Sequence, residues 1–569
     1  MNQIGSIQLS GLNRDQGEPR KIGIASGPGL RALEHPERNL TLLFISTSIV
    51  LAFVGTSLGA FTLADLSGVS TNLGKSLFPI HPYLQIFGFV AEFVIGVSYS
   101  LLPRFKTGRV PHLGLGYATY ALVTCANVLF ILQVAFPAYS IIVGPVSEGF
   151  MTIASLLYAS QVFSLALRHM GGFPETNPFM ILSSISLVLI SLSLLISQYF
   201  PNVDGEVFSP QMILLSLVGF AGSMIYAVEI RSVSFRQSDY RKGLARFAPK
   251  IQGAAIGITF FSIIFSSVYL SVLGALLFLS AALIVILAIR IFEFAHPLMY
   301  RPAMNKMHFS ILRYNEVGII SGSVWLLFGC SLGAILIASP SEMFFFRDSF
   351  IHSIAIGFIG STITVFAPML LPALLGRKAP VTGLSYGPIL LLNAGILLRI
   401  GGDSTTLLNS SSNLPIWESL SGALILGAMV WLLVLLPRIG KHSVSKPQKI
   451  SNVGPGLKDI RDARLFVTRR KSNLERSISL WFVEREGVIN LVPMHGTGSE
   501  WYQNVLSNSK VRLEIDHRSF TGNAKSITER HRVDSIINLF KDKYGERVFN
   551  NFYKGPLDCA VEVPIEGLR

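Results

Sequence analysis

Charge is what this chain has least of: only 14% of its 569 residues are Asp, Glu, Lys or Arg, against about 25% in a soluble domain. Cysteine is scarcer still. Cys125, Cys330 and Cys559 lie far apart with no CxxC pair, which excludes a disulfide scaffold and a cysteine-rich zinc or iron–sulfur site. No P-loop, no Gly-x-Gly-x-x-Gly after a strand and no Ser/His/Asp pattern is evident. A formal net charge of +14 would suggest nucleic acid in a soluble protein. Here Lys and Arg fall mainly between apolar segments, where they set membrane orientation, so no nucleic-acid partner is expected. Residues 1–38 form a polar tail without an apolar run near Met1, so no cleavable signal peptide is expected and the tail is read as retained.

Apolar residues make up 50% of the chain, and the mean hydropathy is +0.52. Between residues 39 and 437 runs of roughly twenty apolar residues alternate with short breaks, each run long enough for about 30 Å of hydrocarbon. They number about twelve, beginning near Leu40, His81, Leu113, Ser140, Phe179, Gln211, Ile251, Ser271, Val317, Phe350, Ser385 and Trp417, with an uncertain seam near Gly274 between the seventh and eighth. In lipid they must be helices, because every backbone polar group needs a partner within the segment. Every second break is basic, as at Arg104, Lys106 and Arg109, or Arg231 to Arg246. The alternate breaks carry Asp204 and Glu206, Glu342 and Asp348, and Asp403. By the positive-inside rule both termini face the cytoplasm, in a multi-pass protein of the cell membrane whose solvent is the lipid bilayer.

Residues 438–457 read as a basic linker. Residues 458–569 then carry short β-rich runs, "ARLFVTRR", "ISLWFVE", "VINLVPM" and "KVRLEID", a helical pattern in "HRVDSIINLFKDKYG", and a last strand, "CAVEVPI". The fold class expected is an all-α membrane bundle joined to a small cytoplasmic β-barrel.

Two histidines stand apart from the rest. His81 opens span two and His352 opens span ten. Both spans run from outside to inside, so the imidazoles lie at matched depth near the outer surface. They are candidate ligands for one haem from its two faces; the bland alternative is a pair of interfacial helix-capping histidines. His112, His169, His296 and His308 read as interfacial. Arg399 should lie close to His352 in depth, as a partner for a haem propionate or as a snorkelling interfacial arginine. Glu92 and Glu148 fall within spans two and four, where a carboxyl is expensive. They are candidates for proton relay or quinol binding, with a paired or protonated structural carboxyl as the alternative. Glu229, beside Arg231, reads as solvated.

"HPYLQIFGFVAEFVIGVSYSLLPRF" from His81 to Phe105 resembles span two of the haem–copper oxidases. "IHSIAIGFIGSTITVFAPMLLPALLGRKAP" with "LLLNAGILLRI" is similar to the NnrS family. That family is a twelve-span group with haem and copper, tied to nitric oxide stress. The resemblance implies haem b on His81 and His352, with Gly88, Gly96, Gly357 and Gly360 allowing a macrocycle or a helix to approach closely. Spans six and seven lack the copper-ligating histidines of a conventional oxygen or nitric oxide reductase, and copper has no obvious ligand cluster.

The stretch from "LFVTRRKSNLER" to "KVRLEI" resembles the deazaflavin-dependent nitroreductases, a branch of the split β-barrel flavin-binding proteins. Arg470, Lys471, Ser472 and Arg476 occupy the family's basic turn, and His495, Gly496, Thr497, Gly498, Trp501, Tyr502 and Asn504 its Gly-rich loop and the segment after it. The resemblance implies a deazaflavin coenzyme or FMN, with cationic donors for its phosphate or polyglutamate tail and backbone N–H groups from the loop. Trp501 and Tyr502 read as core aromatics that anchor a helix. Together the two resemblances imply a membrane-bound haem redox protein with a deazaflavin- or flavin-dependent module. If the haem lies near the outer face, electrons must reach it through a quinone or a second centre. The alternative is a twelve-span transporter or sensor with a regulatory barrel, which predicts a two-fold internal repeat.

Overall fold

The computed structural model describes residues 36–68, 77–106, 110, 112–168, 175–200, 203, 209–234, 240–293, 306–340, 346–374, 381–409, 416–439, 457, 460, 462–470, 475–515, 518–546, 549–550, 553 and 555–565. Among them twelve helices are long and apolar enough to cross a membrane: Arg38–Leu66, Ile80–Pro103, Leu113–Ala135, Pro137–Leu167, Asn177–Ser197, Pro210–Arg231, Lys242–Phe265, Val268–Ile289, Arg313–Ala338, Arg347–Pro368, Gly383–Thr405 and Ile416–Leu435, numbered here spans 1–12. The seam between spans 7 and 8 falls at Ser266 and Ser267 rather than at Gly274. Ser266 takes a left-handed conformation (φ 48°) and Ser267 Oγ accepts from Leu270 N to start span 8. Gly274 instead packs inside span 8 against Thr259. Span 7 begins at Lys242, well before Ile251, because its basic first turns are helical too.

The twelve spans form three units of four. In each unit the first span packs on the second and the third on the fourth, and each fourth span packs on the first of the next unit; span 12 returns to span 1 and closes the ring. Spans 2, 6 and 10 are the most enclosed, with 83, 94 and 67% of their central windows buried. They share one construction: a short α-helical start, a π-helical stretch (Leu84–Ala91, Leu214–Gly222 and Ser353–Gly360), then an α-helix. The sequence repeats with it. Gly88-Phe89, Gly219-Phe220 and Gly357-Phe358 are each followed by a small residue (Ala91, Gly222, Gly360) that ends the π stretch. A π turn widens the helix and re-aims the side chains at its entrance. Of the glycines, Gly88 abuts Leu51, Gly96 abuts Phe44 and Gly357 abuts Trp325, so these three serve helix packing. Gly360 faces a cavity.

The C-terminal region is an antiparallel sheet of β1 (Asp462–Thr468), β2 (Glu475–Arg485), β3 (Val488–Leu491), β4 (Lys510–Ile515), β5 (Arg518–Asn523), β6 (Lys525–Ile527) and β7 (Ala560–Pro564), in the order β5-β4-β1-β2-β3-β7-β6. The two ends of that order are β5 and β6, separated only by Ala524, so one bent strand nearly closes a barrel. Gly522 lets β5 reach β7, since a Cβ there would lie 2.6 Å from Pro564 O. Helix α1 (Glu500–Ser507) and helix α2 (Arg530–Tyr544) pack on it. β5 and β6 escape a hydrophobicity reading because their burial is only partial and alternating, without an apolar run. One core, around Leu465, Phe482, Leu513 and Val561, fills the barrel; a second, around Trp481, Phe540 and Tyr544, lies under α2.

Candidate functional site

A cavity of about 610 Å³ lies among spans 1, 2, 6, 10, 11 and 12, within the roughly 300–1,000 Å³ of ordinary cofactor pockets. His81 and His352 both line it. Their rings are nearly parallel, at 16°, with centroids 6.3 Å apart, too far for a close stack. Imidazole nitrogens bind first-row metals at about 2 Å. The ring centre lies about 1 Å further out, so two imidazoles on one metal have centroids about 6 Å apart. His81 Nδ1 donates to Gly55 O at 2.7 Å, and His352 Nδ1 lies 3.1 Å from Asp348 Oδ1 and 3.0 Å from Asp348 O. With Nδ1 engaged on both rings, Nε2 is the nitrogen left for a ligand role. Ligating histidines are commonly oriented in this way. Each histidine stands at the entrance of a π stretch, three residues before Leu84 and directly before Ser353. The donor set, ring spacing and cavity fit a haem.

Arg399 does not snorkel. It is 4% exposed, and its Nη1 donates to Asp348 Oδ2 at 2.6 Å and lies 3.4 Å from His352 Nδ1. Asp348 thus holds both His352 and Arg399. Assigned above to an external break, Asp348 sits inside the first turn of span 10, and Asp403 likewise sits inside span 11. Asp403 Oδ2 accepts from Ser349 N at 3.0 Å and from Ser349 Oγ at 2.5 Å, capping span 10 from a neighbouring helix. Glu418 of span 12 presses on Gly402 and also lines the cavity. Asp348, Asp403 and Glu418 carried no sequence signal beyond their charge, because only packing brings spans 10, 11 and 12 together here.

Glu92 and Glu148 lie elsewhere, in the first unit. Glu92 Oε1 accepts from Asn127 Nδ2 at 2.9 Å, and Glu148 lies beside Tyr83. Glu229, read as solvated, is instead only 3% exposed. Its position on the enclosed span 6, not its distance from Arg231, decides that. His112 is exposed and starts span 3 at φ 52°. His169, His296 and the side chain of His308 fall outside the described residues. Among the described residues no group of three or more His, Cys, Asp or Glu could hold a metal.

In the barrel the two sequence sets converge. Arg470 follows β1, and its backbone N–H donates to Asn504 Oδ1 at 3.2 Å while its Nη1 donates to Gln503 Oε1 at 3.2 Å. Helix α1 therefore pins the basic turn. Lys471 and Ser472 fall outside the described residues, as does the side chain of Arg476, whose backbone pairs with Val467. His495 and Gly498 are exposed in the loop that leads into α1, and Gly496 bends it at φ 50°. Thr497 N and Oγ1 each donate to the carboxylate of Asp558 at 3.0 Å. Burial pushes the Asp558 carboxyl up, but these bonds outweigh it and hold the group below the usual carboxylate range. Trp501 and Tyr502 are buried core aromatics; Tyr502 OH shares a 2.6 Å hydrogen bond with Ser526 Oγ. Gln503 and Asp558 were not legible beforehand: Asp558 lies 61 residues from its partner.

A family model described as F420-H(2)-dependent quinone reductase matches residues 441–549, and one described as a domain of unknown function (DUF8744) matches residues 241–435. Among solved structures the chain is similar to an F420-H2 dependent reductase (FDR-A), at 20% identity over 18% of this chain and 93% of that one, with a TM-score of 0.16. No curated protein matches. The family resemblance read from the barrel's sequence is borne out in that coarser form, as a deazaflavin-dependent reductase-like module.

Proposed function

We propose that this chain is a membrane-bound oxidoreductase whose barrel takes a deazaflavin coenzyme of the F420 type and whose helical region holds a haem b between His81 and His352. The match of residues 441–549 to a quinone reductase family carries the reading; the paired histidines facing one cavity support the haem. When bound, a reduced deazaflavin supplies a hydride and a haem supplies one-electron transfer. The chain's own part is positional. Arg470, with Lys471 and Arg476 nearby in sequence, offers cationic donors to the coenzyme's anionic groups, and Asn504 fixes the turn that carries them. Gly55 O and Asp348 orient the two imidazoles. A hydride carries two electrons and a haem accepts one, so a lipid-soluble quinone is the acceptor class that suits both. A role in nitric oxide stress and kinship with NnrS rest on the likeness of spans 2, 10 and 11 alone.

An optical spectrum of the purified full-length protein tests this. Sharp low-spin haem bands, together with tight binding of a deazaflavin rather than FMN, are the expected result; a colourless protein sinks the haem assignment. The transporter reading loses ground because the internal repeat is three-fold, not two-fold.

A further inference from the structure

The interior of the first unit, spans 1–4, contains a second polar system that the haem and the coenzyme leave unused. It is strung along the helices rather than gathered at one level. At one end Gln133 of span 3 and Gln198 of span 5 meet at Gly144 of span 4. About one turn further along span 4 come Ser147 and Glu148, with Tyr83 of span 2 beside them. Ser147 Oγ donates to Ala126 O at 2.9 Å. The next residue, Asn127, bonds Glu92 at 2.9 Å. Further on lie Ser98 and Tyr158, close together, then Tyr99 OH, which donates to Gln161 Oε1 at 2.5 Å. Gln161 Nε2 in turn donates to His112 O, at the entrance of span 3.

Three helices of alternating direction thus present polar groups in one consistent order from the His81 end of span 2 to the His112 end of span 3. Along the middle of that order several atoms are buried and lack a hydrogen-bond partner: Tyr83 OH, Glu148 Oε2, Asn127 Oδ1 and Glu92 Oε2. Tyr83 and Glu92 are 0% exposed, Asn127 1% and Glu148 4%. Unsatisfied groups of this kind are costly in an apolar interior, and roomy polar sites usually hold water. A quinone headgroup would call for polar atoms at a single level with an apolar slot behind them. A file of alternating hydroxyls, amides and two carboxyls fits a proton.

We propose that the core of the first unit is a proton-transfer file, with Glu92 and Glu148 as its two protonatable stations and Tyr99–Gln161 and Gln133 as its two ends. A proton arriving at one carboxylate makes a carboxylic acid, which passes its proton through hydroxyl or water to the next carboxylate, so each station returns to its starting state as one proton enters and one leaves. This inference deepens the membrane reading and is independent of the haem.

The test uses the full-length protein in liposomes and the infrared C=O stretch of protonated carboxyls. Glu92→Gln and Glu148→Gln should each remove one band. In wild type, transfer to D2O should shift both bands within the mixing time, and the Gln161→Leu/Gln133→Leu double variant should slow that shift at least tenfold. Bands that stay unshifted for hours in wild type, or that exchange as fast in the double variant, overturn the proposal. Haem content plays no part in the readout, so failure here and failure of the haem assignment are separable.

Discussion

Spans 2 and 10 and span 6 share one backbone plan and differ in what stands at the entrance of the π stretch. Spans 2 and 10 place His81 and His352 there, and span 6 places Gln211. Gln211 Nε2 is taken up by Ser271 Oγ at 3.0 Å, whereas the two imidazoles face a shared cavity. The repeat also extends to the residue after each π stretch, Glu92, Ser223 or Ser361. A third-span amide reaches the first two of these: Asn127 bonds Glu92 and Gln252 bonds Ser223. The scaffold is therefore repeated while the chemistry is not. Function resides in which polar residue each copy received.

The sharpest way to break that comparison is to exchange the entrance residues. His81→Ala or His352→Ala should abolish the low-spin spectrum, because six-coordination needs both axial donors. Gln211→Ala should leave it intact. A spectrum that survives both histidine replacements removes the distinction between spans 2 and 10 and span 6, and the haem with it.

A smaller effect is expected at the ion pair behind His352. Arg399→Leu strands Asp348, and Asp348→Asn strands a buried guanidinium and loosens His352. Each should lower stability by about 1–3 kcal/mol, as when one partner of a buried charged hydrogen bond is removed. The double variant should recover part of that loss. Thermal unfolding in detergent measures the cycle; strict additivity would mean that the pair is not coupled.

These sites differ in how far they could be read beforehand. His81 and His352 were legible because a histidine in an apolar run is rare enough to notice, and matched span direction put them at one depth. Asp348 and Asp403 were misplaced in breaks because a helix start is fixed by capping, here Asp403 on Ser349, which couples residues 54 apart. Searching the twelve spans for halves could not find a period of four, although Gly-Phe recurs at positions 88, 219 and 357. In the barrel, the residues on adjacent elements were legible as a set. Asp558 was not, because it returns to the loop on the last strand's approach.

The barrel offers a milder contrast, between a turn that carries charge and a residue that only holds it in place. Arg470→Ala with Lys471→Ala should weaken deazaflavin binding about tenfold through lost anion contacts. Asn504→Ala should weaken it only a few-fold, because it removes the anchor of Arg470 N rather than the charge. Equilibrium dialysis on the full-length protein distinguishes the two, and equal affinity in the Arg470/Lys471 double variant would place the coenzyme elsewhere.

The smallest expected effect concerns Asp558. Its carboxyl is held below the ordinary value of 3.8 by the two bonds from Thr497, which outweigh the opposing effect of burial. A group whose folded-state pKa is depressed contributes stability that is fully present above its unfolded pKa and is lost as the pH falls through its folded one. At neutral pH, Asp558→Asn should therefore lower barrel stability by about 1 kcal/mol, the scale of a charge-assisted bond at a partly exposed site. That difference should shrink below about pH 4, where wild-type Asp558 begins to take up a proton. Thermal unfolding of the barrel expressed from Gly456, followed between pH 3 and pH 7, measures it. A difference that stays constant across this range would mean that Asp558 supports the loop through shape rather than charge.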